Sequence, residues 1–273
     1  MKRTLPQLLL PATFFPGHDQ NRMSREGDVA RARAEFIAAG TENVRALLRQ
    51  RLGWMDAHIR PDDIVVELGC GAGLTEFFVN GAPIMATDVR PYPWTAACVD
   101  ALHLPFAPGS VDVFICVNMI HHLAVPTAFL DTLLTCLRPG GRLLIHEPNP
   151  SVAMLLALRL MRHEGWSFAV DAFDPAVAAN DPADPWSGNN AISALLFGDL
   201  ARFSRRFPAF TVLFDRYSEF LLFPLSGGVT AKTAVPVLPR AVLGAVAALD
   251  RVLCWLAPSV FAMGRSIALE KRA

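Results

Sequence analysis

The sequence predicts an α/β fold in which helices cover both faces of a parallel sheet. Short apolar runs typical of strands alternate with helical segments between residues 64 and 147. Strands joined by helices imply crossover connections, which place successive strands parallel to one another. A glycine-rich turn follows the first of these strands, as in many α/β ligand sites. The chain has 273 residues, of which 52% are apolar, so it can bury a sizeable core.

The elements of this core follow from apolar spacing and from the residues that interrupt it. Residues 24–59 have helical spacing, with leucines at 47, 48 and 52. Pro61 and the two aspartates after it form a turn, and the alternation begins there. In chain order we predict strand 64–68, a helix near 74–80, strand 84–87, a short strand near 97–99, strand 112–117, a helix at about 126–137 and strand 142–147.

The pattern changes beyond Pro148, where the strict alternation stops. A stretch rich in Asp, Pro, Asn and Trp indicates a long loop or lid, and such loops are often functional. The predicted elements are an apolar helix 152–162, the loop 163–190, a helix 191–206, strands 209–214, 217–223 and 266–270, and an apolar helical stretch 237–257.

The charges balance, with 25 basic and 25 acidic residues, so the chain lacks the basic field that drives nucleic-acid binding. Arginines and acids alternate in residues 22–60, which is typical of a solvated helix face. The five cysteines form no C-x-x-C pair, which favours a reducing, cytoplasmic location. No apolar run reaches the roughly 18–20 residues of a membrane span.

The turn after the first strand reads IVVELGCGAG over residues 64–73. It has no lysine after its glycines, so it is not a Walker-type phosphate loop. Its spacing is G-x-G-x-G, and Leu74 occupies the position where a dinucleotide site needs a third glycine. Glycines at 69, 71 and 73 let a ligand lie directly against the backbone.

G-x-G-x-G after a strand that ends in an acidic residue resembles motif I of the class I S-adenosylmethionine-dependent methyltransferases. Asp88 ends the second strand, and Asp100-Ala101 ends the third. The later runs LPF, GSVDVFIC, HHL and LRPGG, in this order, resemble the methyltransferase type 11 group. The resemblance is specific over positions 64–147 and generic in the flanks.

The resemblance implies a Rossmann-like, doubly wound, mostly parallel seven-stranded sheet, with an inserted helical and loop cap. We expect an N-terminal helical segment over the cofactor site (1–60), the cofactor-binding core (61–150), a cap with the substrate region (151–208) and C-terminal strands around an apolar helical insertion (209–273). The implied cofactor is S-adenosyl-L-methionine, and its expected contacts are Glu67, Gly69, Cys70, Gly71, Gly73, Asp88, Val89, Asp100, Ala101, Asn118 and His122.

Methyl transfer requires an aligned acceptor and, for a protonated oxygen or nitrogen, a base. Base candidates must follow the carboxyl ends of the strands. The candidates are His121, His122, Glu147 and His163. Both neighbouring histidines could instead pack beside the cofactor without reacting. The expected substrate contacts are Asn149, His163, Trp166 and Trp186, although the aromatic residues could equally form a small core of the cap.

We predict no metal. His121, His122, Glu147 and His163 could form a metal site on paper. Metal-dependent catechol-type methyltransferases, however, carry an Asp-Asn pair after the fifth strand, where this chain has Pro148-Asn149-Pro150.

The sequence leaves the methyl acceptor open. We expect an oxygen or nitrogen, with carbon a weaker alternative, on a small or lipid-like metabolite. A macromolecular (protein or RNA) methyltransferase and a non-catalytic cofactor-binding subunit are the alternatives. The apolar stretch 237–257 fits the core or a homodimer interface, or a surface for peripheral membrane contact.

Overall fold

A seven-stranded sheet forms the centre of the computed structural model, which describes residues 4–16, 29–162, 164–184, 187–229 and 233–273. A separate two-stranded sheet lies in the cap. The strands of the described residues are β1 (Thr13–Phe14), β2 (Val65–Leu68), β3 (Ile84–Asp88), β4 (Ala97–Cys98), β5 (Val111–Val117), β6 (Leu137–Pro148), β7 (Trp166–Ser167), β8 (Phe210–Ser218) and β9 (Gly264–Lys271).

The order of the main sheet is β4-β3-β2-β5-β6-β9-β8. Strand β2 pairs in parallel with β3 on one side and with β5 on the other. Strand β9 is antiparallel to both of its neighbours, so among the described strands of this sheet it alone is reversed. The chain changes direction across the sheet at β2, and open α/β sheets bind ligands at such a switch point, beyond the carboxyl ends of the strands.

Helices cover both faces of this sheet. The α-helices of the described residues are α1 (Leu5–Leu9), α2 (Val29–Ala39), α3 (Glu42–Leu52), α4 (Pro126–Cys136), α5 (Val152–Met161), α6 (Ile192–Phe197), α7 (Leu200–Arg206), α8 (Leu222–Ser226), α9 (Arg240–Leu256) and α10 (Pro258–Phe261). Along β5, Phe114 and Cys116 pack into one apolar cluster, while Val113 and Ile115 pack into another on the opposite face. This two-residue alternation confirms the predicted doubly covered α/β sheet.

Several predicted elements have different bounds in the structure. The predicted helix 74–80 is only a 3₁₀ turn at Thr75–Phe77. The predicted helix 24–59 is interrupted after α2, where Thr41 caps the start of α3. Residues 191–206 form two helices, because Asp199 caps a new one.

The predicted strand 217–223 is wrong beyond Ser218, because helix α8 follows β8 there. Asp250, which is fully buried on α9, accepts hydrogen bonds from the backbone N–H groups of residues 220, 221 and 222. These N–H groups lie at the start of α8, where they have no partner within the helix. The buried carboxylate of Asp250 accepts from them and so stabilises the helix start instead of a longer β8. The carboxylate comes from a different helix, further along the chain, so the local pattern of residues 217–223 does not reveal it.

Candidate active site

A cavity of about 550 Å³ lies at the switch point of the sheet. The turns after β2, β3 and β5 form its floor, and α2, α3 and α5 contribute side chains to its walls. All of the predicted cofactor residues except Gly73 line this one cavity, as does His121. The fold thus brings together segments that are well separated in the chain.

The glycine turn has a backbone that only glycine adopts easily. Gly69, Gly71 and Gly73 have φ angles of +68°, +50° and +60°. A Cβ on Gly69 would lie 2.4 Å from Cγ of Met119, and one on Gly73 would lie 2.5 Å from Cδ1 of Trp94. The turn is therefore packed tightly on its protein side, in a conformation that exposes backbone to the cavity.

Two side chains that the sequence did not single out hold this turn. Arg33 on α2 donates to the carbonyl oxygens of Ala72 at 3.0 Å and Gly73 at 2.6 Å. Trp94 donates from Nε1 to the carbonyl oxygen of Gly71 at 2.8 Å, and Arg33 lies over its ring. The interpretation of residues 22–60 as a solvated charged face is wrong for Arg33, because its side chain is only 15% exposed.

Two acidic residues flank the turn inside the cavity. Glu67 is buried and accepts a hydrogen bond from Oγ1 of Thr75 at 2.5 Å. Burial, helped by the nearby charge of Asp88, raises the pKa of Glu67 to about 8. Asp88 accepts one backbone N–H on each oxygen, from Gly71 at 2.9 Å and from Arg90 at 3.0 Å. Each carboxylate oxygen can accept a second hydrogen bond, so Asp88 can still receive ligand hydroxyl groups.

Asp100 lies at the exposed rim of the cavity, where its carboxylate accepts from the N–H of Leu102 and from His103. Cys70, Val89, Ala101 and Asn118 complete the predicted set along the cavity wall. The glycine turn presents backbone without side chains, Glu67 and Asp88 are buried acids, and Asp100 is an acid at the cavity rim. This set fits a polar, adenosine-like ligand with a cationic amine. The individual cofactor contacts remain predictions.

His121 and His122 also line the cavity, on a 3₁₀ turn after β5. Nδ1 of His121 donates to Oε2 of Glu147 at 2.5 Å, and Nδ1 of His122 donates to the carbonyl oxygen of Ser187 at 3.0 Å. Burial lowers the pKa of His121, but the Glu147 carboxylate outweighs it and raises that pKa to about 10. Burial and the neighbouring charge of His121 lower the pKa of His122.

Glu164 was not among the predicted site residues, yet it faces both histidines. One carboxylate oxygen lies 3.6 Å from Nε2 of His121, and the other lies 3.9 Å from Nε2 of His122. Asn190 donates to Glu164 at 2.9 Å and also lines the cavity. Gly188 packs over the group, since a Cβ there would lie 3.3 Å from an atom of each of these three side chains.

Three predicted catalytic or substrate residues lie away from the cavity wall. Glu147 is buried behind His121, and its other oxygen accepts from the N–H groups of Met119 and Ile120. Asn149 donates to the carbonyl oxygen of Ala262 at 2.8 Å. Trp166 is fully buried in the cap and donates to the carbonyl oxygen of Pro11. The predicted residues His163 and Trp186 lie outside the described residues.

A buried ionic group that the sequence did not predict also lines the cavity. Arg51 donates through two nitrogens to Glu219, each at 2.8 Å, and Nε2 of His146 lies 3.0 Å from the same carboxylate. Burial would raise the pKa of Glu219, but Arg51 and His146 lower it to about 2. His146 was not among the predicted site residues, and Glu219 lies in no sequence motif.

The sequence and the fold are similar to those of known proteins. Residues 66–145 match a family model described as a methyltransferase domain. A ubiquinone biosynthesis O-methyltransferase of Cupriavidus pinatubonensis is 30% identical over 127 residues, covering 40% of this chain and 51% of the relative. The corresponding protein of Azotobacter vinelandii is 27% identical over 128 residues, covering 40% of this chain and 55% of the relative.

A solved structure shares the architecture over most of the chain. A SAM-dependent methyltransferase from Archaeoglobus fulgidus superposes with a TM-score of 0.51 at 14% identity, covering 83% of this chain and 94% of that one. The alignments with the two ubiquinone biosynthesis O-methyltransferases are shorter than this superposition. The chain spans about half the length of these relatives. Together these matches confirm the predicted class I methyltransferase resemblance and its sheet.

Proposed function

We propose that this chain is an S-adenosylmethionine-dependent methyltransferase acting on a small or lipid-like metabolite. Residues 66–145 match a family model described as a methyltransferase domain, and they lie in a sheet of the class I order. One observation carries the proposal. The glycine turn with Glu67 and Asp88 shares a single cavity with His121 and His122. A volume of about 550 Å³ is within the usual range of small-molecule sites.

The residues around the glycine turn would hold the cofactor. Asp88 can accept from ribose hydroxyl groups, Glu67 can face the amino group of the methionine part, and Asp100 lies at the rim for the adenine. When bound, S-adenosylmethionine supplies a methyl carbon that bonds to an acceptor lone pair as its bond to the positive sulfur breaks, with that electron pair left on sulfur.

The histidine part of the cavity would orient the acceptor. His121, His122 and Glu164 are fixed by hydrogen bonds to Glu147, Ser187 and Asn190, so their positions are set before an acceptor arrives. Holding an acceptor oxygen or nitrogen in line accounts for much of the rate of a displacement. His122 and Glu164 also give the acceptor proton a route out of the cavity.

Calorimetry with S-adenosylhomocysteine tests the cofactor half of the proposal. The unaltered protein should bind at one site, and Asp88→Ala should weaken binding by about 10- to 100-fold, since it removes up to two hydrogen bonds to the ligand. Asp62→Ala, an exposed aspartate outside the cavity, is the matched control and should bind normally. Absence of binding by the unaltered protein would contradict the proposal.

Labelled cofactor added to a cell extract tests the acceptor class. We expect the label in small, organic-extractable molecules. Label in a protein or RNA band would favour the macromolecular alternative. If the protein alone binds the cofactor but transfers no methyl group, and transfer occurs only with a co-purified protein, the non-catalytic subunit is favoured.

An exposed apolar surface favours a lipid-like acceptor. On α5, Met154 and Met161 line the cavity, while Leu156 and Leu160 on the outer side are 50% and 81% exposed. Helix α10 contacts α1, α5 and α9, so these helices form one side of the molecule. We call the following exposed apolar residues of these helices the apolar patch: Leu5, Leu8, Leu9, Leu156, Leu160, Leu249, Val252, Trp255 and Leu256.

The apolar patch fits contact with a membrane surface. Trp255 is 79% exposed, and Arg159 and Arg251 are exposed on the same helices, where their stems can lie on apolar groups while their charges reach lipid phosphates. None of the described helices is long and apolar enough to cross a membrane. The proposed contact is peripheral, with α5 connecting the membrane surface to the cavity.

Vesicle flotation tests this contact. The unaltered protein should float with vesicles containing phosphatidylglycerol, whereas Leu160→Glu and Trp255→Glu should remain in solution. Leu213→Glu changes an exposed leucine of β8, outside the patch, and should float normally. If Trp255→Glu instead converts a dimer into monomers in sedimentation velocity and flotation never occurs, the patch is a homodimer interface.

A further inference from the structure

We propose that His121, His122 and Glu164 bind one divalent transition-metal ion, such as Zn²⁺, inside the cavity. One ligand atom from each of these three side chains lies within 4.8 Å of the other two. The two histidine-to-glutamate separations are 3.6 Å and 3.9 Å. Tetrahedral bonds of about 2.1 Å place ligand atoms about 3.4 Å apart, so small side-chain shifts would complete the site.

The outer hydrogen bonds are those that metal-binding histidines need. A ligating histidine almost always donates its other ring N–H to a carboxylate or a backbone carbonyl, which fixes the tautomer. His121 donates from Nδ1 to Glu147, and His122 donates from Nδ1 to the carbonyl of Ser187. Both Nε2 atoms are thereby the ring nitrogens that face Glu164, and the 3₁₀ turn holds both rings together.

Glu164 is also held in place by the protein. Asn190 donates to one of its oxygens at 2.9 Å, and Gly188 packs against its carboxyl carbon and both imidazole rings. The ligand set therefore comes from two distant segments that a third segment, residues 187–190, fastens together. An exposed cluster of acids would have neither this burial nor these orienting contacts.

This site differs from the set that the sequence offered. Glu147 cannot be a ligand in this arrangement, because its oxygens already accept from His121 and two backbone N–H groups. Asn149 donates to the carbonyl oxygen of Ala262, so it does not replace the Asp-Asn metal ligands of the catechol-type methyltransferases. The prediction of no metal depended on that missing pair, and Glu164 provides a carboxylate from another element.

Two histidines and one glutamate leave at least one coordination position open to the cavity. An oxygen donor of the acceptor, such as a phenol or another hydroxyl, could take that position and be aligned with the glycine-turn end. This role rests on the proposed methyl transfer, whereas the binding of the ion does not.

Metal titration of tag-free protein tests the site. After chelator treatment and dialysis, the protein should bind about one equivalent of Zn²⁺ by elemental analysis, and Co²⁺ should give visible absorption bands of a low-coordinate site. Glu164→Gln, which keeps the shape of the side chain, should weaken Co²⁺ binding at least 10-fold, as should His122→Ala. His103→Ala, which removes an exposed histidine outside the set, should leave the stoichiometry at one.

Stoichiometry well below one in the unaltered protein, or binding that survives both variants, would overturn the proposal. In that case Nε2 of His121 would carry a proton and pair with Glu164, in the place proposed for the metal ion. Calorimetry with S-adenosylhomocysteine on the metal-free protein separates the two proposals. Normal cofactor binding without Zn²⁺ binding would leave the proposed function intact and remove only the metal.

Discussion

The two parts of the cavity that we propose hold the cofactor and the acceptor, here called the cofactor end and the acceptor end, are built in different ways. The cofactor end consists of short segments that directly follow neighbouring strands, namely the glycine turn after β2 and Asp88 at the end of β3. The acceptor end joins His121 and His122 to Glu164 and to residues 187–190, which belong to the long cap loop. Parallel strands fix the residues of a reaction that many relatives can share, whereas loops recognise a particular acceptor. Substitutions at the two ends should therefore have separable effects on cofactor binding and on turnover.

The largest effect should come from Gly69→Ala at the cofactor end. The variant adds a methyl group at φ +68° and 2.4 Å from Cγ of Met119, so both strain and overlap oppose it. We expect a loss of about 3 kcal/mol in the free energy of unfolding and at least 100-fold weaker S-adenosylhomocysteine binding. Urea unfolding and calorimetry measure the two quantities.

Gly109→Ala is the matched control, because Gly109 has φ +66° but no neighbouring atom within 4 Å of an added Cβ. It should lose only the strain, about 1–2 kcal/mol, and bind the ligand normally. Equal losses of affinity in the two variants would mean that the packing of the turn does not shape the site.

A second effect at the cofactor end depends on pH. Glu67 has a pKa of about 8 in the folded protein, above its ordinary value of 4.5, so the folded state keeps a proton that the unfolded state has lost between these pH values. This contribution to stability is complete below pH 4.5 and disappears as pH rises through 8. It should reduce the free energy of unfolding by about 2 kcal/mol between pH 5 and 7.

Glu67→Gln removes this titration and should flatten the pH dependence of unfolding by that amount. Calorimetry of S-adenosylhomocysteine in buffers of different ionisation enthalpy gives a second readout. A cationic amino group beside Glu67 should expel close to one proton at pH 7. Proton release that persists in Glu67→Gln would place the titrating group elsewhere.

A smaller effect is expected from Trp94→Phe. The change removes the hydrogen bond from Nε1 to the carbonyl oxygen of Gly71 and should cost about 1 kcal/mol, or about 5-fold in ligand affinity. Trp54→Phe removes a hydrogen bond of the same kind, to the carbonyl oxygen of Arg51, away from the turn. It should reduce stability similarly while leaving affinity within 2-fold. If both variants bind equally well, Trp94 supports the fold rather than the site.

The same contrast explains what could be predicted from the sequence. Glu67, Asp88 and the glycines were predictable because each lies at or just after the end of a strand, and parallel strands fix where their ends meet. Arg33 and Trp94 were not predicted, because an arginine in a charged helix normally indicates an exposed face and a tryptophan in a loop has no spacing to place it.

Glu164 and Gly188 could not be predicted, since their positions depend on the path of a loop over the sheet rather than on spacing. Glu219 and His146 meet through β6, β9 and β8, a pairing that local pattern does not encode. The sheet, the strand-end residues and the two histidines therefore follow from short-range rules, while Arg33, Trp94 and Glu164 depend on long-range packing.

The smallest effect on stability, and the sharpest test of this division, should come from Gly188→Ala. An added Cβ would lie 3.3 Å from Glu164, His121 and His122, close enough to displace them by a few tenths of an ångström without preventing folding. We expect a change below about 0.5 kcal/mol in unfolding and unchanged S-adenosylhomocysteine affinity. Turnover with an identified acceptor should fall several-fold, and Zn²⁺ binding should weaken. A parallel loss of cofactor affinity would show that the two ends are coupled, because displacement at the histidines would then be transmitted along β5 to the glycine turn.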